Sequence, residues 1–387
     1  MFLIVTAYAC NACGQYGQSR GDRGKVSADI GKIHTGRSRS DFAVSQIVRG
    51  GKELEKITIR GFSEKGNWYK GTLHSHTVNS DGTLTPEESV KLFREHGYHF
   101  LCFSEHDKYT DYREQFDCED FIILPGLEAS AVLYREEGSG RRKKVHHIHG
   151  ILGTEEMVKN APLPPYRHNE VHPVLKYYGD WDGAAVAQKL ADEMTRRGMI
   201  TTYNHPVWSR VRESEFIDTE GIWALEIFNY NTVNESNTGY DETYWDVMLR
   251  EGKKIFGFAS DDNHNEGLFD DACGGWVTVK SESLTREDIL QNMLSGNYYS
   301  SSGPEIYDWG IRNGVAYVEC SDVYRIDFIA GNDINDGTSC VCDSYEETIT
   351  HGEYELKGHE TYVRIKCTDK NGKTAWSNPV FLKSPLL

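Results

Sequence analysis

No internal segment of this chain is apolar enough to span a bilayer, so no membrane-crossing helix is expected. The chain is also short of positive charge: 42 Lys and Arg stand against 59 Asp and Glu, a formal net charge of -17. That balance excludes a protein that wraps duplex nucleic acid through a broad basic surface. It leaves an anionic substrate open, because metal cations can dominate the local field inside an acidic protein. There is no internal repeat and no sustained low-complexity tract, which sets aside repeat architectures. A paired set of metal-binding cysteines is missing too. Of nine cysteines, Cys10-Asn11-Ala12-Cys13 has zinc-like spacing but no second pair. Cys340-Val341-Cys342 lies in a polar, loop-like stretch, and Cys102 reads as a small core residue. Reduced thiols in a cytoplasmic protein are the expectation.

The first residues are uninformative as a targeting signal. Met1-Phe2-Leu3-Ile4-Val5 is short and lacks a positive n-region, and Ala7-Tyr8-Ala9-Cys10 is only a faint match to a lipoprotein cleavage site. Residues 14–50 are rich in Gly, Ser, Arg and Lys with little apolar period, so residues 1–60 are expected to be a poorly structured extension.

What the remaining length supplies is enough chain for two domains and a large core. From about residue 66 strands and helices alternate. Trp68 to Leu73 reads as a strand delivering His74. Thr85 then offers an N-cap, Pro86 a first helical residue and Glu88 the other half of a capping box, for a helix that stops near Gly97. A strand at 99–104 follows. Further units are a helix at 183–197, strands at 199–203 and 222–228, a helix at 241–251 and a strand at 255–259. This rhythm predicts a mostly parallel α/β sheet or barrel over residues 61–304. Residues 131–146 read as a β-hairpin tip, and residues 154–182, with Pro162, Pro164 and Pro165, as a long loop. After Gly303-Pro304 short strands separated by Asn313-Gly314 and Asn371-Gly372 turns predict a small β-sandwich over 305–387.

The chemistry sits at the predicted strand ends. His74-Ser75-His76 with Asp81, then His106, Glu128, His147, His205, Asp262 and His264 form nine nitrogen and oxygen donors. His74 and His76, two apart on an extended segment, point to one side. Nine donors are too many for one tetrahedral ion and suit two or three divalent ions, zinc, manganese or iron, sharing a bridging carboxylate. Such a centre clamps a phosphoryl or acyl oxygen and lowers the pKa of bound water. His34, His96, His99, His168, His172, His351 and His359 are expected to be non-ligands.

In their order, His74-Ser75-His76…Asp81, Ser104-Glu105-His106-Asp107, Gly126-Leu127-Glu128, His147-Ile148-His149-Gly150, Asn204-His205-Pro206 and Asp261-Asp262-Asn263-His264 resemble the motifs of PHP-domain (polymerase and histidinol phosphatase) metal-dependent phosphoesterases. The resemblance covers roughly residues 66–302. It implies a distorted (β/α)7 TIM-like barrel, a two- or three-metal centre with Glu128 bridging two ions, and hydrolysis of a small phosphorylated substrate by a metal-bound water held by Glu128 and His205. His147 and His149 both fit the sixth position, and the family's His-x-x-Gly spacing favours His147. The family's Asp-x-His spacing favours Asp262 over Asp261, and Glu105 stands where the family often carries Asp. Ala375-Trp376-Ser377-Asn378-Pro379 lies in a C-terminal region similar to appendages of standalone bacterial members of the carbaryl-hydrolase-like branch. That branch implies an alternative, hydrolysis of carboxylic or carbamate esters on the same metals. A binding module with a degenerate barrel is the expectation from another class. Arg210, five residues past His205, is the candidate phosphate contact, and Asn229 can bond a substrate or orient a ligand.

Overall fold

The computed structural model describes residues 57–331 and 333–382. The expectations for residues 14–50, Cys10, Cys13 and His34 lie outside them. Among the described residues, no helix is long and apolar enough to cross a membrane.

The first half alternates as the sequence predicts. Strand β1 (Asn67–Thr72) leads to helix α1 (Pro86–Glu95), and β2 (Phe100–Phe103) follows. The capping box forms: Thr85 accepts from the Glu88 N–H while the Glu88 carboxylate accepts from the Thr85 N–H. Val90 and Phe93 of α1 pack on Leu101, Phe103 and Ile123, fixing the helix against the sheet. Next come β3 (Ile122–Tyr134) and β4 (Arg142–Leu152), a long hairpin across the expected 131–146 tip. Helix α2 (Gly183–Arg196), β5 (Met199–Tyr203), β6 (Ile222–Asn229), α3 (Glu242–Arg250) and β7 (Phe256–Ser260) complete this half. The apolar stripe of α2, Val186, Leu190 and Met194, covers Leu127 and Ile148 of the hairpin. The long 154–182 connection carries a short helix, Glu155–Asn160, and a strand, Leu175–Tyr177, paired parallel to β3.

Two features differ from a mostly parallel closed barrel. The pairs β1–β2, β2–β3, β5–β6 and β6–β7 are parallel, but β4 runs antiparallel to both β3 and β5. A tight hairpin can join only antiparallel strands, so the predicted tip already required this reversal. The ladder is also open: β7 has no continuous pairing to β1. The two ends meet only past the strands, at an isolated parallel bridge between Ser75 and Asn263. There the His76 N–H donates to the Asn263 carbonyl at 3.1 Å and the Asp262 N–H to the His74 carbonyl at 3.1 Å.

Beyond β1 the same sheet continues outward through β8 (Trp276–Ser281), which precedes helix α4 (Arg286–Leu294), and β9 (Tyr298–Ser301), both antiparallel. The C-terminal strands include β10 (Ile306–Arg312), β11 (Val315–Val323), β12 (Arg325–Gly331), β13 (Ile349–Glu355), β14 (Tyr362–Thr368) and β15 (Thr374–Ser377), with short edge strands at Thr338–Val341 and Val380–Phe381. Strand β15 pairs with β9, so one face of the sandwich, with β14 and β12, belongs to the large sheet. The other face is β10, β11 and β13 with Ile59–Arg60. Ile59–Arg60, placed in the extension by the sequence, is thus an edge strand on β10. Asn313 and Gly314 turn β10 into β11 with φ of 52° and 83°, the double positive φ such a hairpin needs. Trp309, Ile311 and Val318 pack against Ile326, Val363 and Ile365 between the faces.

Candidate metal centre

The site is built by the C-terminal ends of the strands and the loops just after them. His74 and His76 follow β1, His106 follows β2, Glu128 lies in β3 and His147 and His149 in β4, His205 follows β5, and Asp262 and His264 follow β7. Hairpin register sets part of the geometry: Glu128 faces His149 across the β3–β4 ladder, and His147 is two positions along the same strand face.

Glu128 is the hub. Its Oε1 lies 3.3 Å from His74 Nε2, 3.3 Å from His147 Nδ1, 3.3 Å from His205 Nε2 and 3.8 Å from His149 Nε2. Its Oε2 lies 3.0 Å from His106 Nδ1 and 3.7 Å from His76 Nε2. Asp262 Oδ1 approaches His74 Nε2 at 2.9 Å and His76 Nε2 at 3.0 Å. Asp81 forms an outer corner with His264 Nε2 at 3.3 Å, His106 Nε2 at 3.5 Å and His76 Nδ1 at 3.9 Å. All nine predicted donors are therefore brought together, in overlapping groups of three and four. His149 joins them as a tenth. His76 and His106 each show one ring nitrogen to Glu128 and the other to Asp81, so each can serve either of two neighbouring positions.

The donor set fits metal ions. Donors about 2.0–2.2 Å from one ion stand roughly 3.0–3.5 Å from each other, the spacing seen around Glu128 and Asp262. Among the described residues, several buried polar atoms aimed inward make no well-directed hydrogen bond even where another donor atom lies close: Glu128 Oε2, Asp262 Oδ1, His106 Nδ1, His147 Nδ1 and both ring nitrogens of His149. Orphaned buried groups of this kind are costly, and ions would satisfy them together. The pocket is strongly anionic: burial lowers His74 and His205, but Asp262, Glu128 and Glu226 outweigh it, raising His74 well above its ordinary value and His205 to about 9, a field that favours a bound cation. Burial, with the neighbouring His106 and His264, holds His76 down at about 3, the neutral form a ligand needs. Burial alone would raise the Glu128 carboxyl, yet His147 and His74 beside it keep it well below the usual carboxylate range.

An outer layer fixes the rings. His74 Nδ1 lies 2.8 Å from Glu226 Oε1, leaving Nε2 for the centre. Glu226 Oε2 accepts from the His205 N–H at 2.9 Å and from Asn229 Nδ2 at 3.1 Å, and its Oε1 also accepts the Ser260 hydroxyl. Ser209 holds His205 Nδ1 at 3.1 Å, and Asn204 donates to Glu128 Oε1 at 2.8 Å. Glu105 accepts from the Thr77 N–H and hydroxyl and from Ser80, fixing the turn that carries Asp81. His205 and Asp262 both hold positive φ, 28° and 55°, a backbone strain that persists only where surroundings over-determine it.

No protein-family model matches the chain, and no curated protein matches it. Solved structures do. A two-domain protein containing a predicted PHP-like metal-dependent phosphoesterase from Bacteroides vulgatus is 11% identical, with 81% of this chain and 96% of that chain covered and a TM-score of 0.41. A candidate metal-dependent phosphoesterase from Bifidobacterium adolescentis is 15% identical, with 58% and 95% covered and a TM-score of 0.36. An amidohydrolase from Chromobacterium violaceum, with bound sulfate and no metal, is 13% identical, with 59% and 96% covered and a TM-score of 0.34. What the site can do follows from its own geometry.

The two candidate substrate contacts, Asn229 and Arg210, differ in exposure. Asn229 is fully buried; its Nδ2 donates to Glu226 and, at 2.9 Å, to Asp262 Oδ2, while its Oδ1 caps Thr232. These bonds fit the orienting role, one of the two that the sequence leaves open. Arg210 is exposed, in a turn with φ of 58°. Asp261 accepts the Gly274 and Gly275 N–H groups at 2.8 Å each, a structural role that leaves the centre to Asp262. The described histidines expected to be non-ligands join none of the donor groups. Glu226, which the sequence leaves open between a site role and buried structure, bonds into the site, and Trp208 carries no sequence signal. Glu226 sits inside the apolar run Leu225-Glu226-Ile227, where a buried carboxylate demands partners. Trp208, half-buried, flanks the rings of His205 and His147 at 5.1 and 6.0 Å.

Proposed function

We propose that this protein is a metal-dependent hydrolase of the PHP type acting on phosphate esters, with β1–β7 as its distorted seven-stranded barrel. One observation carries the assignment: both oxygens of a single buried carboxylate, Glu128, face different imidazoles, the arrangement of a carboxylate shared between ions. His74, His205 and Asp262 would hold one ion, and His106, Glu128 and His147 a second. His76, Asp81 and His264 would hold a third. Divalent zinc, manganese or iron in such sites supplies Lewis acidity toward a phosphoryl oxygen and lowers the pKa of water.

The chain's own residues supply the rest. Glu226, Ser209 and Asn229 hold the His74 ring, the His205 ring and the Asp262 carboxylate in register. Full burial of His74, Glu128 and His149 keeps bulk water from the inner wall, which strengthens every charge interaction there. The outer corner at Asp81, His106 and His264 is partly exposed and is the side from which an ester can enter.

The test is substitution of His74 and His76 by Ala, with elemental analysis and a panel of p-nitrophenyl phosphate, nucleotide phosphates and aryl esters. Bound metal and phosphatase activity should fall together. Full phosphatase activity in a metal-free variant would sink the assignment. Turnover of aryl esters alone by the unaltered protein would move it to a carboxylic or carbamate esterase.

A further inference from the structure

A cleft of about 520 Å³ opens beside His106, and its walls are chemically one-sided. Lys108 and Lys176 line it, with Asn79, Val171, Pro173 and Val174. Both lysines are anchored through their backbones. Lys108 forms a bridge to Val171, and Lys176 pairs with Val132 of β3 in the short strand Leu175–Tyr177. The Lys108 ammonium reaches only the amide oxygen of Asn79, at 3.4 Å. Among the described residues neither ammonium has a carboxylate within 4.0 Å. The carboxylate that lines the cleft, Asp107, has its Oδ1 engaged elsewhere. It accepts the Ser130 N–H at 2.8 Å and lies 3.6 Å from His172 Nδ1. Two lysines on one cleft without an ion-pair partner are unexpected in a chain of net charge -17.

We infer that this cleft receives the alcohol portion of the ester, and that Lys108 and Lys176 bind a second anionic group carried by that portion. The inference rests on the phosphoester assignment above. The scissile phosphoryl group must reach donors buried around Glu128, whereas the lysines line the open cleft that His106 borders. Lining the cleft and not the buried wall, they are placed for a second charge. Val171, 69% exposed, with Pro173 and Val174 gives a short carbon skeleton an apolar wall between the two charged ends. The substrate class is a phosphate ester of a small alcohol bearing a further phosphate or carboxylate.

The test compares the metal-loaded protein with K108M, K176M and the double variant. The substrates are p-nitrophenyl phosphate, a short-chain bisphosphate and a phosphorylated hydroxy acid. In the double variant KM for at least one doubly anionic ester should rise by roughly tenfold or more relative to the rise for p-nitrophenyl phosphate. Which of the two esters responds identifies phosphate or carboxylate. The Arg pair K108R/K176R should restore much of the difference. Equal losses on all three substrates, or no loss on any, overturn the inference. A readout free of turnover is calorimetric binding of inorganic pyrophosphate against inorganic phosphate, where the double variant should weaken the former more. Equal affinities for pyrophosphate in both proteins also overturn it. A wild-type protein that binds metal yet cleaves no phosphate overturns the phosphoester assignment instead, and the calorimetric comparison still decides whether the lysines bind an anion.

Discussion

Glu226 Oε1 lies 2.8 Å from Nδ1 of His74, and both residues are fully buried. This contact fixes the tautomer that leaves His74 Nε2 facing Glu128 and Asp262. The same carboxylate receives the His205 N–H, so it aligns two donors from different strands. Glu226→Gln keeps the volume and removes the charge. Metal affinity should drop by about ten- to hundredfold, the usual cost of losing such a partner. Titration with a competing chelator measures this, and an affinity equal to wild type would deny Glu226 any orienting role.

Sequence alone exposed most of the donors because they follow short apolar runs, a local pattern, although Glu128, His147 and His149 lie within strands. It exposed the α1 boundary for the same reason: Thr85, Pro86 and Glu88 lie within one turn. Contacts made across the chain were not legible. Glu226 and His74 are 152 residues apart, and nothing near either names the other. His149 competes with His147 on spacing, and only the hairpin register shows both facing Glu128. The reversal at β4 was implied by the predicted hairpin, but the alternation of strand and helix around it favoured parallel pairing. Asp261 and Asp262 differ only in what surrounds them: two glycine N–H groups for one and two imidazoles for the other.

Metal removal should be visible in stability. The orphaned atoms of Glu128, Asp262 and His149 exist in the folded chain alone, so ions that bind them stabilise it by mass action. At a free ion concentration about a hundredfold above Kd the gain is about 2.7 kcal/mol. Thermal unfolding after chelation should therefore occur at lower temperature, and zinc or manganese should restore it. In Glu128→Gln the restoration should shrink, with fewer ions retained by elemental analysis. The same shift in both proteins would remove Glu128 from the centre.

The sandwich should be part of the fold and not a detachable tether. Arg364 of β14 is fully buried, with Nη2 2.9 Å from Glu242 and 2.7 Å from Asp246 of α3 and its guanidinium over the Trp245 ring at 4.6 Å. Breaking a buried pair by removing one partner typically costs 3–5 kcal/mol. Glu242 and Asp246 keep some solvent exposure, so Arg364→Met should cost about 3 kcal/mol, near the lower end. Urea unfolding reads the loss. A chain cut after residue 304 should fail to fold, because β15 also completes the β9 edge. An active, folded fragment would contradict this.

The same cluster makes acid stability predictable. Burial pushes the Glu242 carboxyl up, but Arg364 and Lys366 more than offset it and hold it below its ordinary value of 4.5. With the folded value depressed, the unfolded chain takes up its proton first as pH falls. The stability from this carboxylate is thus fully present above 4.5 and is lost as pH falls through the folded value. Glu242→Gln removes that proton uptake while leaving Arg364 a polar partner. Its urea midpoint should start lower than wild type at neutral pH, then fall less steeply between about pH 5 and about pH 3, so that the two curves converge. Parallel curves across that window would mean that the acid sensitivity arises elsewhere in the chain.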